Sequence, residues 1–262
     1  MALAISMVAF SEDPHLSVTD IQRYLTTNWP RLPSPTDSDE KDNMLSFRVG
    51  STDVIIGKMP SPIPWADLEG PCSTSFLWPD AADVLKQHKA HVIVTIHGQL
   101  NPLVLSTLLT QVTASVLATS PVALGVFWSN ATLVVSKGIF IDFAIEFLPH
   151  GPPLHIWVDF RVGKDSDKSS AGFTTGMVAL GHMEFEAQNA PEPPGELRER
   201  FLALAGYVIE DNQVIKDGDT VGEDAIERIR VIYSNSAFGQ EGKVMRLEYD
   251  RTSPKKPWWK PC

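Results

Sequence analysis

The stretch His91-Val92-Ile93-Val94-Thr95-Ile96, followed after Gly98 and Pro102 by the apolar run from Leu103 to Leu117, sets the fold class of this chain. The first segment is short, β-branched and bounded by turn residues, which makes it a strand. The second carries no charge and is too long for one strand, which makes it a helix. Outward toward the N-terminus, Leu3 to Phe10 reads as a strand, and Ser17, three residues before Asp20, caps a helix running to about Trp29. The proline-rich and polar stretch from Pro30 to Asn43 reads as a surface loop. Leu45 to Val49 and Asp53 to Ile56, separated by Gly50-Ser51-Thr52, form a hairpin. Met59 to Pro71 carries Pro60, Pro62, Pro64 and Pro71, so an extended path is expected, leading to a helix from Pro79-Asp80 to about His88.

Strand, helix, two strands, helix, strand is the order of the ferredoxin-like motif. The class is therefore α+β, with antiparallel or mixed sheets covered by helices and a ferredoxin-like first half over residues 1–120. In the second half, residues 121–262, Ala123 to Trp128 and Thr132 to Val135 read as strands around Asn130, Ile139 to Phe147 as a helix, and His155 to Arg161 as a strand. A polar loop, Gly163 to Gly172, a strand region from Phe173 to Phe185, and a helix from Glu196 to Val208 behind Pro193-Pro194-Gly195 follow. Arg228 to Tyr233 and Val244 to Tyr249 alternate as half-buried strands. Nothing between the halves forces two independent domains, and they are expected to pack as one unit.

The chain has 262 residues, 43% hydrophobic and 21% charged, enough for an ordinary globular core. Met1 to Phe10 is apolar but lacks a basic lead and runs into Glu12 and Asp13, so it reads as a strand and not a signal peptide. The longest uninterrupted apolar run, Val122 to Trp128, is far below the roughly 20 residues of a membrane span. Two cysteines, Cys72 and Cys262, make neither a disulfide framework nor a metal set, and the expected location is the cytoplasm.

The net charge of −10 opposes binding to nucleic acid, whose phosphates repel a surface of like sign. It is concentrated. From Glu184 to Glu227 twelve acids face three bases, 12 − 3, or −9, whereas Arg228 to Cys262 holds eight bases against three acids, or +5. A solvated helix with its loops accounts for the acidic block; the sharper reading is a docking face for a basic protein.

The chemistry-bearing candidates each lack a component. His182-Met183-Glu184-Phe185-Glu186 places His182, Glu184 and Glu186 on one face if it is a strand, an acid/base or metal cluster without a third ligand class. It matches half of a zinc deaminase signature, but the Pro-Cys-x-x-Cys half does not follow. His97 ends a strand without a nucleophile at motif spacing. Gly172-Phe173-Thr174-Thr175-Gly176 lacks the Gly-Lys-Ser/Thr ending of a phosphate loop and reads as a turn or bulge. Ser38-Asp39-Glu40-Lys41 has nucleophile spacing in a polar loop that offers no buried site. The tail from Pro254 to Pro261 interleaves bases and aromatics, as single-strand binders do, and a tail that docks on the acidic surface or stays loose is the simpler account. Trp65 and Trp78 lie among prolines and serve either as interface anchors or as pins for an extended segment. No catalytic residue, metal ligand or cofactor site is assigned.

Met59-Pro60-Ser61-Pro62-Ile63-Pro64-Trp65, Val126-Phe127-Trp128 before Asn130-Ala131, and Thr175-Gly176-Met177 leading to Leu180 through Glu186 resemble an uncharacterised bacterial domain family found in type VI secretion and polymorphic-toxin loci. These motifs span roughly residues 54–190, and the chain resembles a type VI secretion immunity protein paired with a nuclease effector. The resemblance implies a cytoplasmic binder that occludes a cognate toxin, and it brings no catalytic residues. On that reading the partner-facing residues are Trp65, Glu196, Glu199, Glu210, Asp211, Asp217, Asp219, Glu223 and Asp224. Two other readings remain open: a metal-dependent enzyme using His182, Glu184 and Glu186, and an accessory protein of a secretion machine.

Overall fold

The first sheet of the computed structural model runs through Ala2–Phe10 (β1), Thr36–Lys41 (β2), Met44–Val49 (β3), Thr52–Met59 (β4), Ala90–Gly98 (β5), Ala123–Trp128 (β6) and Leu133–Ser136 (β7). All neighbours are antiparallel, in the order β2-β3-β4-β5-β1-β6-β7. The described residues are 2–41, 43–211, 213–222 and 228–249. Among them, those up to Asp159 together with Thr175–Gly181 form one unit, and Phe160–Thr174 with those from His182 onward form the other. The chain is α+β, with one antiparallel and one mixed sheet.

Alternation decides how the first sheet is covered. Ala4, Ser6, Val8 and Phe10 of β1 and Val92, Val94 and Ile96 of β5 are buried on one face, under helices Val18–Asn28 (α1) and Pro102–Thr119 (α4). Ser17 caps α1 by accepting from the amide of Asp20, as its position predicts, and Asn101 caps α4 by accepting from Val104. α4 has the length and hydropathy of a membrane span, yet 67% of it is buried inside the fold. Its hydroxyls serve the core: Thr113 bonds Ser6 of β1 at 2.7 Å, and Thr110 accepts from the Trp157 indole at 2.7 Å.

Among the described residues of the first unit, the opposite face is covered at one end. Helices Trp65–Thr74 (α2) and Ala81–Leu85 (α3) lay Ile63, Leu68, Cys72, Trp78 and Leu85 against Ala9, Phe127 and Val134. Trp78 lies over Gly125, where a Cβ would stand 2.4 Å from its ring and 2.6 Å from the Val135 carbonyl. At the other end Leu3 and Ile55 stay 56% and 37% exposed. Because α1 and the α2–α3 pair lie on opposite faces, the ferredoxin-like order expected for the first half is not formed. β5 inserts between β4 and β1.

Several local expectations change for tertiary reasons. Thr36 to Lys41 is an edge strand and not loop, since its backbone pairs with β3 while its side chains face solvent and leave no hydrophobic signal. The path expected to stay extended to Pro71 turns helical at Trp65 because Leu68 and Cys72 gain a buried place, although Pro71 cannot donate to the preceding turn. Lys137–Asp142 (α5) continues into a π-helical turn at Phe143–Phe147, and Leu154–Trp157 (α6) is a short helix where a strand was expected. β6 and β7 continue the first sheet, so the division expected at residue 120 falls inside the first unit.

The second sheet has the order β11-β12-β13-β10-β9-β8, from Asp159–Ser166 (β8), Ser169–Thr175 (β9), Phe185–Ala190 (β10), Thr220–Val221 (β11), Ile229–Asn235 (β12) and Lys243–Tyr249 (β13). The polar stretch expected as a loop at 163–172 is therefore most of a hairpin. Only β10 and β13 run parallel, and Pro194–Ile209 (α7) lies between them in the chain. Gly176, just past β9, has φ +117° and lies so near the Trp157 carbonyl that a Cβ would approach to 2.4 Å, which explains the glycine.

Candidate functional site

α7 is amphipathic, and this sorts its charges. Leu197, Phe201, Leu204, Ala205, Val208 and Ile209 are buried at helical spacing, with the Phe201 ring stacked on Phe185 of β10. Glu196, Glu199 and, just past the helix, Glu210 and Asp211 are exposed. Glu196 stands in the first turn, where a carboxylate complements the helix dipole. Asp217 and Asp219 are exposed too, but they also shape their loop. Asp217 accepts from the Tyr233 amide at 2.8 Å, and Asp219 from the Lys216 amide at 2.7 Å. Burial, then the charges of Asp217 and Asp219, push the Tyr233 hydroxyl above its ordinary range, and it stays protonated to donate to the Ile215 carbonyl. Glu223 and Asp224 lie outside the described residues, as does the stretch from Pro254 to Pro261.

Trp65 belongs to the first unit and these acids to the second. It begins α2, is half-buried against the Ile63–Trp78 cluster, and has the Lys86 ammonium 5.1 Å above its ring. That geometry makes it a pin for the proline segment.

The His182, Glu184 and Glu186 face resolves into separate duties. β10 begins at Phe185, so only Glu186 lies in a strand, and His182 sits in a bend. Glu184 is buried and accepts from the Thr174 hydroxyl at 2.7 Å. Glu186, fully buried, accepts from the Ser236 hydroxyl and from the Ala237 amide at 2.9 Å. Ser236 in turn accepts from the amides of Phe238 and Gln240, both at 3.0 Å. One internal carboxylate thus organises the whole β12–β13 turn, whose Phe238 ring lies 5.0 Å from that of Phe173. Burial lowers the His182 imidazole below its ordinary value. Among the described residues no group of three or more His, Cys, Asp or Glu side chains is arranged to hold a metal.

A third internal carboxylate was not anticipated. Glu192 lies between Pro191 and Pro193 at the strand-to-helix junction, 3% exposed at its side chain, and forms a two-pronged pair with Arg200 at 3.0 Å. It also accepts from the Tyr249 hydroxyl, while its backbone carbonyl takes the Ser170 hydroxyl at 2.6 Å. The network ties β9, β10, α7 and β13 together. The signal available in sequence is an acid held between two prolines with an arginine two turns into the following helix.

Of the twelve acids between Glu184 and Glu227, Glu184, Glu186 and Glu192 are thus interior. Among the described residues the exposed acids of this block are Glu196, Glu199, Glu210, Asp211, Asp217 and Asp219. The remaining candidates are ordinary surface features. His97 lies 3.7 Å from Asp53, which also pairs with Arg48 at 3.1 Å. Ser38 accepts from Gln22, and Lys41 pairs with Asp39 on the exposed edge strand. Burial pushes the Cys72 thiol up to about 11, so it stays protonated at neutral pH.

Residues 173–248 match a family model described as a domain of unknown function (DUF4261). The match is less than a third of the chain's 262 residues. It contains Glu184, Glu186, Glu192, Arg200 and the six exposed acids, and it includes the Thr175 to Glu186 motif but neither Met59 to Trp65 nor Val126 to Trp128. No curated protein and no solved structure matches the chain.

Proposed function

We propose that the chain is a non-catalytic cytoplasmic binding protein of the immunity type, which neutralises a basic toxin, a nuclease effector of type VI secretion, by covering its active site. The observation that carries the reading is the separation of acids in the second unit. Three carboxylates are buried and committed to internal hydrogen bonds, while Glu196, Glu199, Glu210, Asp211, Asp217 and Asp219 are exposed over α7 and the loop that follows. A nuclease presents a positive cleft to its substrate. A fixed negative surface accelerates encounter with such a cleft and selects it over neutral partners. The internal networks hold that surface rigid, which lowers the ordering cost of binding.

The test is co-expression with the product of the adjacent gene. The wild-type chain should rescue growth and form a complex whose affinity falls as NaCl rises. Replacing Glu196, Glu199, Glu210 and Asp211 together by Lys should abolish rescue and slow association by tenfold or more, on the order of the loss expected when steering is reversed. Rescue and affinity untouched by the quadruple reversal, or the absence of any complex with the wild type, would reject the reading.

A further inference from the structure

The segment Met59 to Trp65 has a hydrogen-bonding problem that its sequence creates. Pro60, Pro62 and Pro64 have no N–H, so between them only Ser61 and Ile63 can donate from the backbone. Ile63 is 2% exposed, and its amide must find a partner inside the protein. That partner is the Nε2 atom of His88, at 2.7 Å, and His88 is itself 6% exposed.

The bond is possible in one protonation state only. An amide donates, so Nε2 of His88 must be bare; the Leu85 carbonyl beside Nδ1 can only accept, so Nδ1 carries the hydrogen. Neutral imidazole therefore has every position filled. A second proton on Nε2 would set one N–H against another at a bonded distance. His91 behaves differently, since its Nδ1 donates to the Ser61 carbonyl at 2.7 Å and a further proton leaves that bond intact.

We propose that the Pro60–Pro64 strap is a proton-sensitive latch, held closed by neutral His88, and that protonating this imidazole frees the strap and uncovers the apolar cluster beneath it. The three prolines stiffen the strap, so it lifts as a piece. Ile63 of the strap packs in one buried cluster with Leu68, Cys72, Trp78 and Leu85, and Trp65 at its end packs against that cluster. The groups that bear on His88 reinforce the neutral form. Burial first, and the nearby His91 last, lower its proton affinity, against the Leu85 carbonyl, which raises it. Cys72 of α2 is an uncharged thiol, the strap carries no charge, and the Lys86 ammonium at the end of α3 is turned onto Trp65.

The sign follows from the lowered affinity. The released strap leaves an ordinary imidazole that takes up its proton near 6.5, while the closed form takes it up only at lower pH. The latch is fully held above about 6.5 and weakens progressively as pH falls below it. This inference stands apart from the toxin-binding reading.

Cys72 is the built-in reporter. In the full chain with Cys262→Ser, the rate of Cys72 modification by dithiodipyridine is compared with that of the same chain unfolded in denaturant, at pH values from about 7.5 to about 5, while circular dichroism follows the global fold. Protection should fall as pH drops, by up to about 30-fold at pH 5, the limit for a freed imidazole titrating near 6.5. His88→Gln offers an acceptor oxygen near the Nε2 position and cannot titrate, so its protection should be flat. His91→Gln keeps His88 and should still lose protection as pH falls. Protection in the wild type that changes by less than about twofold would overturn the latch, and so would an acid-induced loss that persists in His88→Gln.

Discussion

The two units solve the problem of interior polar groups differently. The first holds neutral buried pairs: Ser6 with Thr113 between sheet and helix, and Trp157 with Thr110 between two helices. The second adds three buried carboxylates to its buried hydroxyls, with Glu184, Glu186 and Glu192 each taking protein donors in place of water. A neutral pair can be replaced by apolar groups at little cost. A buried charge cannot lose its partner without heavy loss, because desolvation of the survivor is no longer offset. Those neutral pairs of the first unit are therefore open to apolar replacement. In the second, charge determines which loops are rigid.

The largest effect should come from breaking that contrast at its extreme. Glu192→Ala removes the buried two-pronged pair with Arg200 together with the Tyr249 acceptor, and should cost about 3–5 kcal/mol in denaturant unfolding. Replacing Glu192 and Arg200 together by apolar residues should recover much of that loss; a double variant no better than the single would show that the charge is not what matters. Next is the packing limit of the first unit. Gly125→Ala drives a methyl group into Trp78 and the Val135 carbonyl and should cost roughly 1–3 kcal/mol, read from the unfolding midpoint. Smaller still, Ser6→Ala with Thr113→Val should lie within about 1 kcal/mol of wild type, whereas either change alone leaves a buried hydroxyl unpaired and should cost more. A double variant as damaging as Glu192→Ala would erase the distinction between the units. Least of all, Glu199→Lys on the exposed side of α7 should shift stability by no more than about 0.5 kcal/mol, so that any change in complex formation reports binding alone.

Elements with a strong apolar run or period were legible. The Ser17-capped helix, β3 with β4, β5, the long α4, the Glu196–Val208 helix and the last two strands stand within a few residues of where composition and capping place them. Elements poor in large apolar side chains were not. Thr36 to Lys41 exposes nearly every side chain, and the β8–β9 hairpin buries Ser170, Gly172 and Thr174 in place of large apolar residues, so backbone pairing holds what hydropathy does not signal. The acidic block was legible as a number but not as a surface, because nothing in the string Glu184-Phe185-Glu186 separates a solvated carboxylate from one that accepts from Thr174 or Ser236. Trp65 was ambiguous for the same reason, and its Lys86 partner comes from a different helix.

Sequence by itself determined the α+β class, the caps, the proline segment and the sign and place of the charge, since these depend on residue type and on spacing along the chain. Tertiary structure alone decided that β5 lies between β4 and β1, which three acids are interior, and that the amide of Ile63 meets an imidazole nitrogen. Each of these depends on which distant groups arrive at the same place, and in a folded chain burial and hydrogen-bond geometry settle that.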